Sequence, residues 1–331
     1  MAKQVRGSTV RLIGVTDTAY GTPPAAPTAL VLPYVQNNVK ADQTRDTDQT
    51  ISGYRGAARS VAGNRKVGGT LQINVAPQTI GFWLKHLLGA PTSVLNGAVT
   101  TYTFGVAASG ASALPPSFTM ESDMGADFTA ASRYVRLTGC RISQAQFAVG
   151  ASGFMQFTPT VDGSDYTKSA APLDAAPTDN GHAAFSTLTA ALVFGGGALT
   201  LDVTKLDFTL NNNMDAGNYL VGGGGKLGDI PEGLFDVSGT VEALLKDSSL
   251  IDAALSDTDS SLQLTLTRGT GDGSAGNESL EILIPALVFA ATTPVVPGPK
   301  GLLLSATFTG HRTAGEIGIT ATLKTPIAAI Q

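Results

Sequence analysis

The fold is decided by residues 69–89, which read GTLQINVAPQTIGFWLKHLLG. Apolar and polar side chains alternate strictly over Thr70–Val75, as they do in a half-buried β-strand. Pro77 then precedes a segment, Gln78–Leu88, whose apolar residues recur on one helical face. Gly89 suits the position just after a helix C-terminus. The stretch therefore predicts a strand followed directly by a short amphipathic helix.

A related arrangement recurs 170 residues further along the chain. Gly239-Thr240-Val241 matches Gly69-Thr70-Leu71, and Ser248–Leu255 has the apolar spacing of a second short helix. Each half also has an upstream strand that ends in asparagines, a long Gly-rich segment without clear periodicity, and a closing Phe-Thr strand. These features lie at 34–39, 40–66 and 157–158 in the first half, and at 208–214, 215–232 and 308–309 in the second. This order indicates an internal duplication.

The remaining pattern is typical of β structure, because short alternating runs rich in Thr and aromatic residues follow one another along the chain. We expect strands at 9–13, 101–104, 117–121, 134–137, 144–149, 154–158, 201–210, 239–244, 261–267, 280–284 and 302–309. The sequence therefore predicts a mainly β protein with two tandem domains, 1–160 and 182–331, each with one helix. The segment 161–181, which contains Pro172 and Pro177, is predicted to be the linker.

Composition excludes several classes of protein. Of the 331 residues only 14% are charged, against about 25% in ordinary soluble domains, while 39 are glycine. A hydrophobic fraction of 43% and a net charge of −5 exclude a disordered chain and a uniformly basic nucleic-acid binder. Cys140 is the single cysteine, which rules out an intramolecular disulfide framework. A surface this neutral favours association with other proteins.

Charge is divided between the two halves. Residues 1–165 carry 13 − 9 = +4 and residues 166–331 carry 8 − 17 = −9. Much of the positive excess lies in the segment 40–66, in Lys40, Arg45, Arg55, Arg59, Arg65 and Lys66, with aspartates between them. This segment suits either a phosphate backbone or the acidic surface of a partner, such as the second half of another copy. The interleaved aspartates favour the second interpretation.

Residues that carry chemistry form no recognisable catalytic or metal-binding pattern. His86, His182 and His311 share no ligand spacing, and Cys140 suits a small core position better than a nucleophile. The Gly222–Gly225 run lacks a phosphate-loop motif, and Asp257, Asp259, Asp272 and Glu278 fit solvated turns better than a cation site. We therefore expect neither an enzyme nor a bound cofactor or metal.

Targeting and membrane signals are not recognised either. The N-terminal residues lack a continuous apolar core, and the longest apolar run, 282–291, contains Pro285 and is too short to span a bilayer. We expect a protein that is made and kept in a cytosol without a membrane step.

One family matches the combination of features. The early segment Asp17-Thr18-Ala19-Tyr20-Gly21-Thr22-Pro23-Pro24 is followed by a strand, a long basic loop, a Gly-Thr-Leu strand and a short helix ending in Leu-Leu-Gly. In this order, and in Leu206–Met214, the chain resembles the major tail (tail tube) protein of long-tailed, siphovirus-type bacteriophages in its two-domain form.

The resemblance implies a structural virion protein with two tandem tail-tube-type β-sandwich or partial-barrel domains. It implies homotrimeric, pseudo-hexameric rings that stack into a tube for DNA ejection, with the loop 40–66 reaching the next ring. The acidic residues Asp202, Asp207 and Asp215 are candidates for the lumen or for acidic contacts, although the sequence leaves their orientation open. The implied partners are further copies of the chain, a tape measure protein and genomic DNA in the lumen, and tail terminator and tail-tip proteins at the ends. The implied location is the virion tail, after assembly in the host cytoplasm.

A second hypothesis is a β-sandwich carbohydrate-binding or adhesin module displayed on a virion. Such a module needs clustered exposed aromatic side chains. The chain has a single tryptophan, Trp83, and its place on the apolar face of the first predicted helix disfavours this reading.

Overall fold

The computed structural model describes residues 4–51, 53–106, 115–128, 130–197, 201–296, 298–299, 301–312 and 318–331. The first half contains β1 (Arg11–Thr16), β2 (Leu30–Val31), β3 (Gln36–Asn37), β4 (Lys40–Asp46), β5 (Val61–Asn74), α1 (Ile80–Leu88), β6 (Thr92–Asn96), β7 (Val99–Gly105), β8 (Phe118–Asp123), β9 (Tyr134–Gly150), β10 (Gln156–Gly163) and β11 (Asp165–Ser169). The second contains β12 (Ala191–Phe194), β13 (Asp202–Asn211), β14 (Asp236–Leu244), α2 (Ser249–Leu255), β15 (Ser260–Thr267), β16 (Ser279–Phe289), β17 (Leu303–Gly310) and β18 (Thr320–Thr325). The predicted mainly β class is confirmed.

A central antiparallel sheet runs through both halves of the chain. Its strand order is β4–β5–β10–β9–β13–β14–β17–β16. The remaining strands extend this sheet, with β8 beside the first part of β9, β15 and β18 on either side of β16, and β7 beyond β18. The two halves therefore share one sheet and one main hydrophobic core.

The duplication is visible in the pairing pattern. Three adjacent strands of the first half, β5–β10–β9, have the same spatial order as three strands of the second half, β14–β17–β16. Helix α1 follows β5 in the chain, and helix α2 follows β14 in the same way. Registers agree as well, because Thr70 lies opposite Thr160 and Thr240 lies opposite Thr307. The division into two domains stays a prediction. The segment 161–181, treated above as a linker, contains the end of β10 and the whole of β11.

The two halves are joined where β9 pairs with β13, in seven consecutive pairs from Lys205–Gly150 to Asn211–Gln144. At the centre of this joint Phe147 lies opposite Phe208, and their rings stack with centroids 4.9 Å apart. The Phe157 ring continues the row 4.8 Å from Phe147. In the second half, Gly239 lies between Phe208 and Phe308 in the sheet, and the Phe308 ring lies so close to it that a Cβ at this position would collide with the ring. A line of buried aromatic rings therefore crosses from one half into the other.

Helix α1 covers the core face of the sheet. Trp83 is fully buried and packs near Phe118 and Phe157, with ring centroids 6.1 and 6.4 Å away. His86 is also buried and lies 2.7 Å from the Phe82 carbonyl oxygen through Nδ1 and 3.2 Å from Thr16 Oγ1 through Nε2. Burial lowers the pKa of His86 to about 3, so this histidine stays neutral and structural.

The structure corrects the loop expected at 40–66. Strand β4 pairs with the first part of β5 from Lys40–Gly68 to Asp46–Val61, so the segment is a β-hairpin whose tip is residues 47–60. Both faces of these strands are largely exposed up to Lys66. Without a buried face there is no apolar alternation, and the sequence pattern consequently shows no strand here.

Candidate assembly surfaces

The central sheet ends in two open edges. At the first edge, β3 and β4 pair only with β5 among the described residues. At the second edge, β16 pairs with β15 as far as Leu287, opposite Ser260, and its last residues have no neighbour on that side in the described chain. Unpaired strand edges invite pairing with another chain.

The first edge is partly closed by a side chain. The Asn38 N–H points into the sheet and donates to the Thr70 carbonyl oxygen over 2.9 Å. The next amide, that of Val39, donates to Oδ1 of Asn37 over 2.9 Å. Since successive N–H groups of a strand alternate in direction, the Val39 amide lies on the open side. Asn37 therefore occupies a hydrogen-bonding position that a further strand would use.

The arm, residues 40–66, presents an exposed tip. Ile51 and Tyr54 are 97% and 86% exposed, which is unusual for large apolar side chains on an isolated subunit. Arg55 and Arg59 lie in the same tip and are exposed, and neither forms an ion pair with another described residue. The tip thus combines apolar and basic groups without a partner inside the described chain.

The six basic residues predicted for this segment lie in different environments. Lys40 is exposed beside Asp42, with 2.7 Å between Nζ and Oδ2, and Arg45 and Lys66 are also exposed on the arm strands. Arg65 instead forms an ion pair with Asp165 and lies over the Tyr166 ring, 5.5 Å from its centroid. Five of the six therefore remain on the surface, whereas Arg65 is bound within the chain.

The second connection, residues 212–235, occupies the place of the arm in the second half but folds back onto the first half. Asn212 is buried, and its Nδ2 donates to the carbonyl oxygens of Leu87 and Ile142 over 3.0 and 2.9 Å. The Ser164 hydroxyl donates to the Leu227 carbonyl over 2.8 Å, and the Arg65 N–H donates to Gly225 over 2.7 Å. These bonds fix the connection against the base of the arm.

Two ionic clusters reinforce this contact. Asp165, whose side chain is 8% exposed, binds Arg65 through one oxygen and Lys226 through the other, the latter over 2.6 Å. Burial alone would raise the pKa of Asp165, but hydrogen bonds from Lys226 and Arg65 outweigh it and the net pKa is lowered. Arg141 binds Glu232 over 3.1 Å and Asp229 over 3.3 Å. Of these residues only Arg65 was predicted from the sequence as a candidate site residue, because the others are far apart in the chain and no motif links them.

One face of the central sheet is polar. Across the joint the outward residues form rows of amide and hydroxyl groups, for example Gln72–Thr158–Gln146–Thr209–Ser238–Thr309. Asp207 lies on this face and is paired with Lys205, whereas Asp202 lies at the exposed start of β13 with Lys246. Asp215 lies off the sheet, exposed in the second connection. The structure therefore does not bring the three predicted acidic residues together.

The end of the sheet opposite to the arm exposes apolar side chains. Leu244 and Leu303 face each other across β14 and β17 and are 44% and 53% exposed. Phe154, in the turn between β9 and β10, is 54% exposed, and Leu188 is 76% exposed. Ser186 forms a β-bridge with Phe154, which brings Leu188 to the same end. Both ends of the strands therefore carry exposed apolar groups.

Chemistry-bearing residues give no alternative site within the described part of the chain. Cys140 is buried, as predicted for a small core residue, and burial raises the pKa of its thiol. No group of three or more His, Cys, Asp or Glu side chains is placed there to hold a metal ion. None of the helices in the described ranges is long and apolar enough to cross a membrane.

Comparison with known proteins agrees with the resemblance drawn from the sequence. A family model described as phage tail tube protein matches residues 7–310, which is most of the chain. No curated protein matches it. The chain belongs to the phage tail tube protein family, and its role is that of a structural component of the phage tail.

Proposed function

We propose that three copies of this tail tube protein form a ring with pseudo-sixfold symmetry, and that rings stack head to tail into the tail tube of a siphovirus-type phage. The β9–β13 joint carries the proposal, because it already fuses two related units into one sheet. The sheet remains open at β3–β4 and at β16. Repeating the joint between copies would close the sheet into a barrel and remove both edges.

The polar face of the sheet is the proposed wall of the lumen. The opposite face is buried under α1 and the aromatic core, which leaves the polar face as the one available to solvent. Rows of Thr, Ser and Gln give DNA few cationic groups to bind, and Lys205 on this face is paired with Asp207. Asp236 and Glu242 would repel the phosphates of the DNA. Such a wall suits DNA ejection, which requires a polyanion to slide past without adhering.

Stacking is assigned to the arm tip and the opposite apolar end. The tip exposes Ile51 and Tyr54, and the far end of the strands exposes Phe154, Leu244 and Leu303. Because these surfaces differ and lie at opposite ends, their contact is heterologous and yields an open filament. The exposed Arg55 and Arg59 add a salt-sensitive component to a largely apolar contact.

The remaining parts of the proposal follow from the family. Assembly would take place in the host cytoplasm around a tape measure protein, which later leaves the lumen to genomic DNA. Tail terminator and tail-tip proteins would cap the two ends. The proposed function requires no cofactor.

Negative-stain electron microscopy of the purified chain tests the proposal. We expect rings and tubes of uniform diameter at high protein concentration, and light scattering should show the mass of three chains, or multiples of it. A protein that stays monomeric at every concentration would refute the tube assignment. Binding to carbohydrate without rings would favour the adhesin hypothesis instead.

A further inference from the structure

At the base of the arm, the second connection takes the place of a strand beside β5. The last pair between β5 and β10 is Val67–Gly163, whereas β5 itself continues toward the tip of the arm. There the Arg65 N–H donates to the Gly225 carbonyl over 2.7 Å, and the Arg65 carbonyl accepts from the Tyr219 hydroxyl over 3.1 Å. At this level β5 therefore has β4 on one side and the second connection on the other.

Gly225 marks the closest approach of the two segments. Its φ is +77°, and a Cβ at this position would lie 2.8 Å from the Gly63 carbonyl oxygen and 3.4 Å from the Arg65 nitrogen. These neighbours are backbone atoms, which cannot rotate away as the end of a side chain can. The turn of the second connection is thus fitted to the arm backbone itself, and a larger residue at 225 would push the two segments apart.

Side chains extend this contact to the corner between β10 and β11. Asp165 forms ion pairs with Arg65 of the arm and with Lys226 of the second connection. Beside them, the Ser164 hydroxyl donates to the Leu227 carbonyl over 2.8 Å, and the Leu227 side chain is buried. The arm base, the β10–β11 corner and the second connection are therefore joined at one place.

The arm contains a bulge just beyond this contact. The register of β4 and β5 shifts immediately after the pair Gln43–Arg65, where Thr44 faces two residues of β5, 63 and 64. Such a bulge bends a strand pair and increases its twist. Beyond it, both faces of the described arm strands are largely exposed. The contact with the second connection thus ends where the exposed outer arm begins.

We propose that the second connection is a clamp that fixes the direction of the arm. Residues 219–226 hold β5 at Arg65, and the bulge is the point at which the arm bends. A two-stranded hairpin without a further neighbour is only marginally stable in water, and the clamp supplies that neighbour at the base. The arm therefore projects in one direction from each subunit before it meets another copy. For stacking, which rests on the proposed function, an arm that is already fixed loses less conformational entropy on contact.

Two alanine substitutions in the same turn separate the clamp from backbone strain. Gly222 and Gly225 have almost the same φ, +78° and +77°, so alanine strains the backbone equally at both positions. A Cβ at Gly222 would meet no atom within 4 Å, whereas one at Gly225 would meet the arm. Gly225→Ala should therefore open the clamp, and Gly222→Ala is the matched control.

Spin labels at two exposed positions report the direction of the arm. Ala62→Cys lies on the outer arm just beyond the bulge, and Gln146→Cys lies on β9, roughly 35 Å away by strand spacing. Cys140 is buried and stays unlabelled. Double electron–electron resonance on unassembled subunits should give one narrow distance distribution for the labelled chain and for its Gly222→Ala variant. The distribution for Gly225→Ala should be at least twice as wide.

Tyr219→Phe with Lys226→Met opens the same contact if Gly225→Ala folds poorly, because it removes one hydrogen bond and one ion pair. Equal widths in all variants that keep the circular dichroism spectrum of the wild type would overturn the clamp. If the clamp serves stacking, Gly225→Ala should form tubes at least fivefold more slowly than Gly222→Ala. A wild-type chain that forms no tubes would refute the proposed function, whereas a wider distribution for Gly225→Ala would still support the clamp.

Discussion

The arm tip, residues 47–60, and the second connection, residues 212–235, occupy equivalent places in the two repeats and behave in opposite ways. The arm tip connects β4 to β5 and the second connection joins β13 to β14, and in each repeat the second of these strands precedes the helix. The second connection is anchored to the first half by buried Asn212, Ser164 and two ionic clusters. The arm tip is exposed, with Ile51 and Tyr54 open to solvent.

The difference follows from the joint between the halves. The second repeat has a neighbour inside the same chain, namely the first repeat across β9–β13, and its connection docks there. Among the described residues β4 has no strand on its other side, so the arm of the first repeat stays open to other molecules. Changes in the second connection should therefore affect folding, and changes in the arm should affect assembly.

The largest expected effect is the loss of tubes when the arm tip is removed. Replacing residues 47–60 by Asn-Gly preserves the last strand pair, Asp46–Val61, and supplies a two-residue hairpin turn. The tip has few contacts within the subunit, so the thermal midpoint should change by less than about 3 °C. Microscopy should show single rings in place of tubes.

A milder variant serves as the control for that deletion. Tyr54→Ser with Ile51→Ser keeps the arm length and removes the exposed apolar groups. We expect much shorter tubes at physiological salt from this variant. Tubes of normal length from the tip replacement would show that stacking does not depend on the arm.

A second prediction compares one position in each connection. The strand pair Asp42–Lys66 in the first repeat is equivalent to the strand pair Asn211–Asp236 in the second. The residues that follow Asp42 and Asn211, namely Gln43 and Asn212, are therefore counterparts. Asn212→Leu leaves the carbonyl oxygens of Leu87 and Ile142 without their buried donor, which should lower the free energy of unfolding by about 2–4 kcal/mol.

The matched variant is Gln43→Leu on the exposed arm strand. Its effect on the free energy of unfolding should stay within about 0.5 kcal/mol, as for surface substitutions generally. Urea denaturation followed by circular dichroism measures both. Equal destabilisation at the two positions would contradict the division between a folding connection and an assembly connection.

Sequence patterns predicted the parts of the fold in which one face is buried. The alternation in Thr70–Val75 and the helical face of Gln78–Leu88 correspond to β5 and α1, within two residues at the helix start. Ser248–Leu255 similarly corresponds to α2, and the recurrence of Gly-Thr revealed the repeat. In each case burial imposes a period on the sequence that can be read without a structure.

Long-range contacts between polar residues were not predictable. β4 has both faces exposed, so the sequence of 40–46 carries no period. Asp165, Arg141 and Lys226 meet only because the second connection folds across the joint, at sequence separations that no local pattern encodes. For the same reason the sequence grouped Arg65 with the exposed basic residues, although it is bound to Asp165.

The smallest expected effect concerns the pH dependence of the anchored connection. The pKa of Asp165 is lowered from its ordinary 3.8 in the folded chain, so its carboxylate stabilises the fold above about pH 4. That contribution is lost as the pH falls through the folded-state pKa. Asp165→Asn should therefore cost about 1–2 kcal/mol at pH 7, and the difference from wild type should shrink between pH 4 and pH 2.

The arm again provides the matched control. Asp42 pairs with Lys40, but both side chains are more than half exposed, so Asp42→Asn should change the free energy of unfolding by less than about 0.5 kcal/mol at either pH. Urea titrations at pH 7 and pH 3 compare the two variants. If the cost of Asp165→Asn is the same at both pH values, the charge of Asp165 does not hold the second connection. The anchoring would then rest on Asn212 and Ser164, whose hydrogen bonds involve no titrating group.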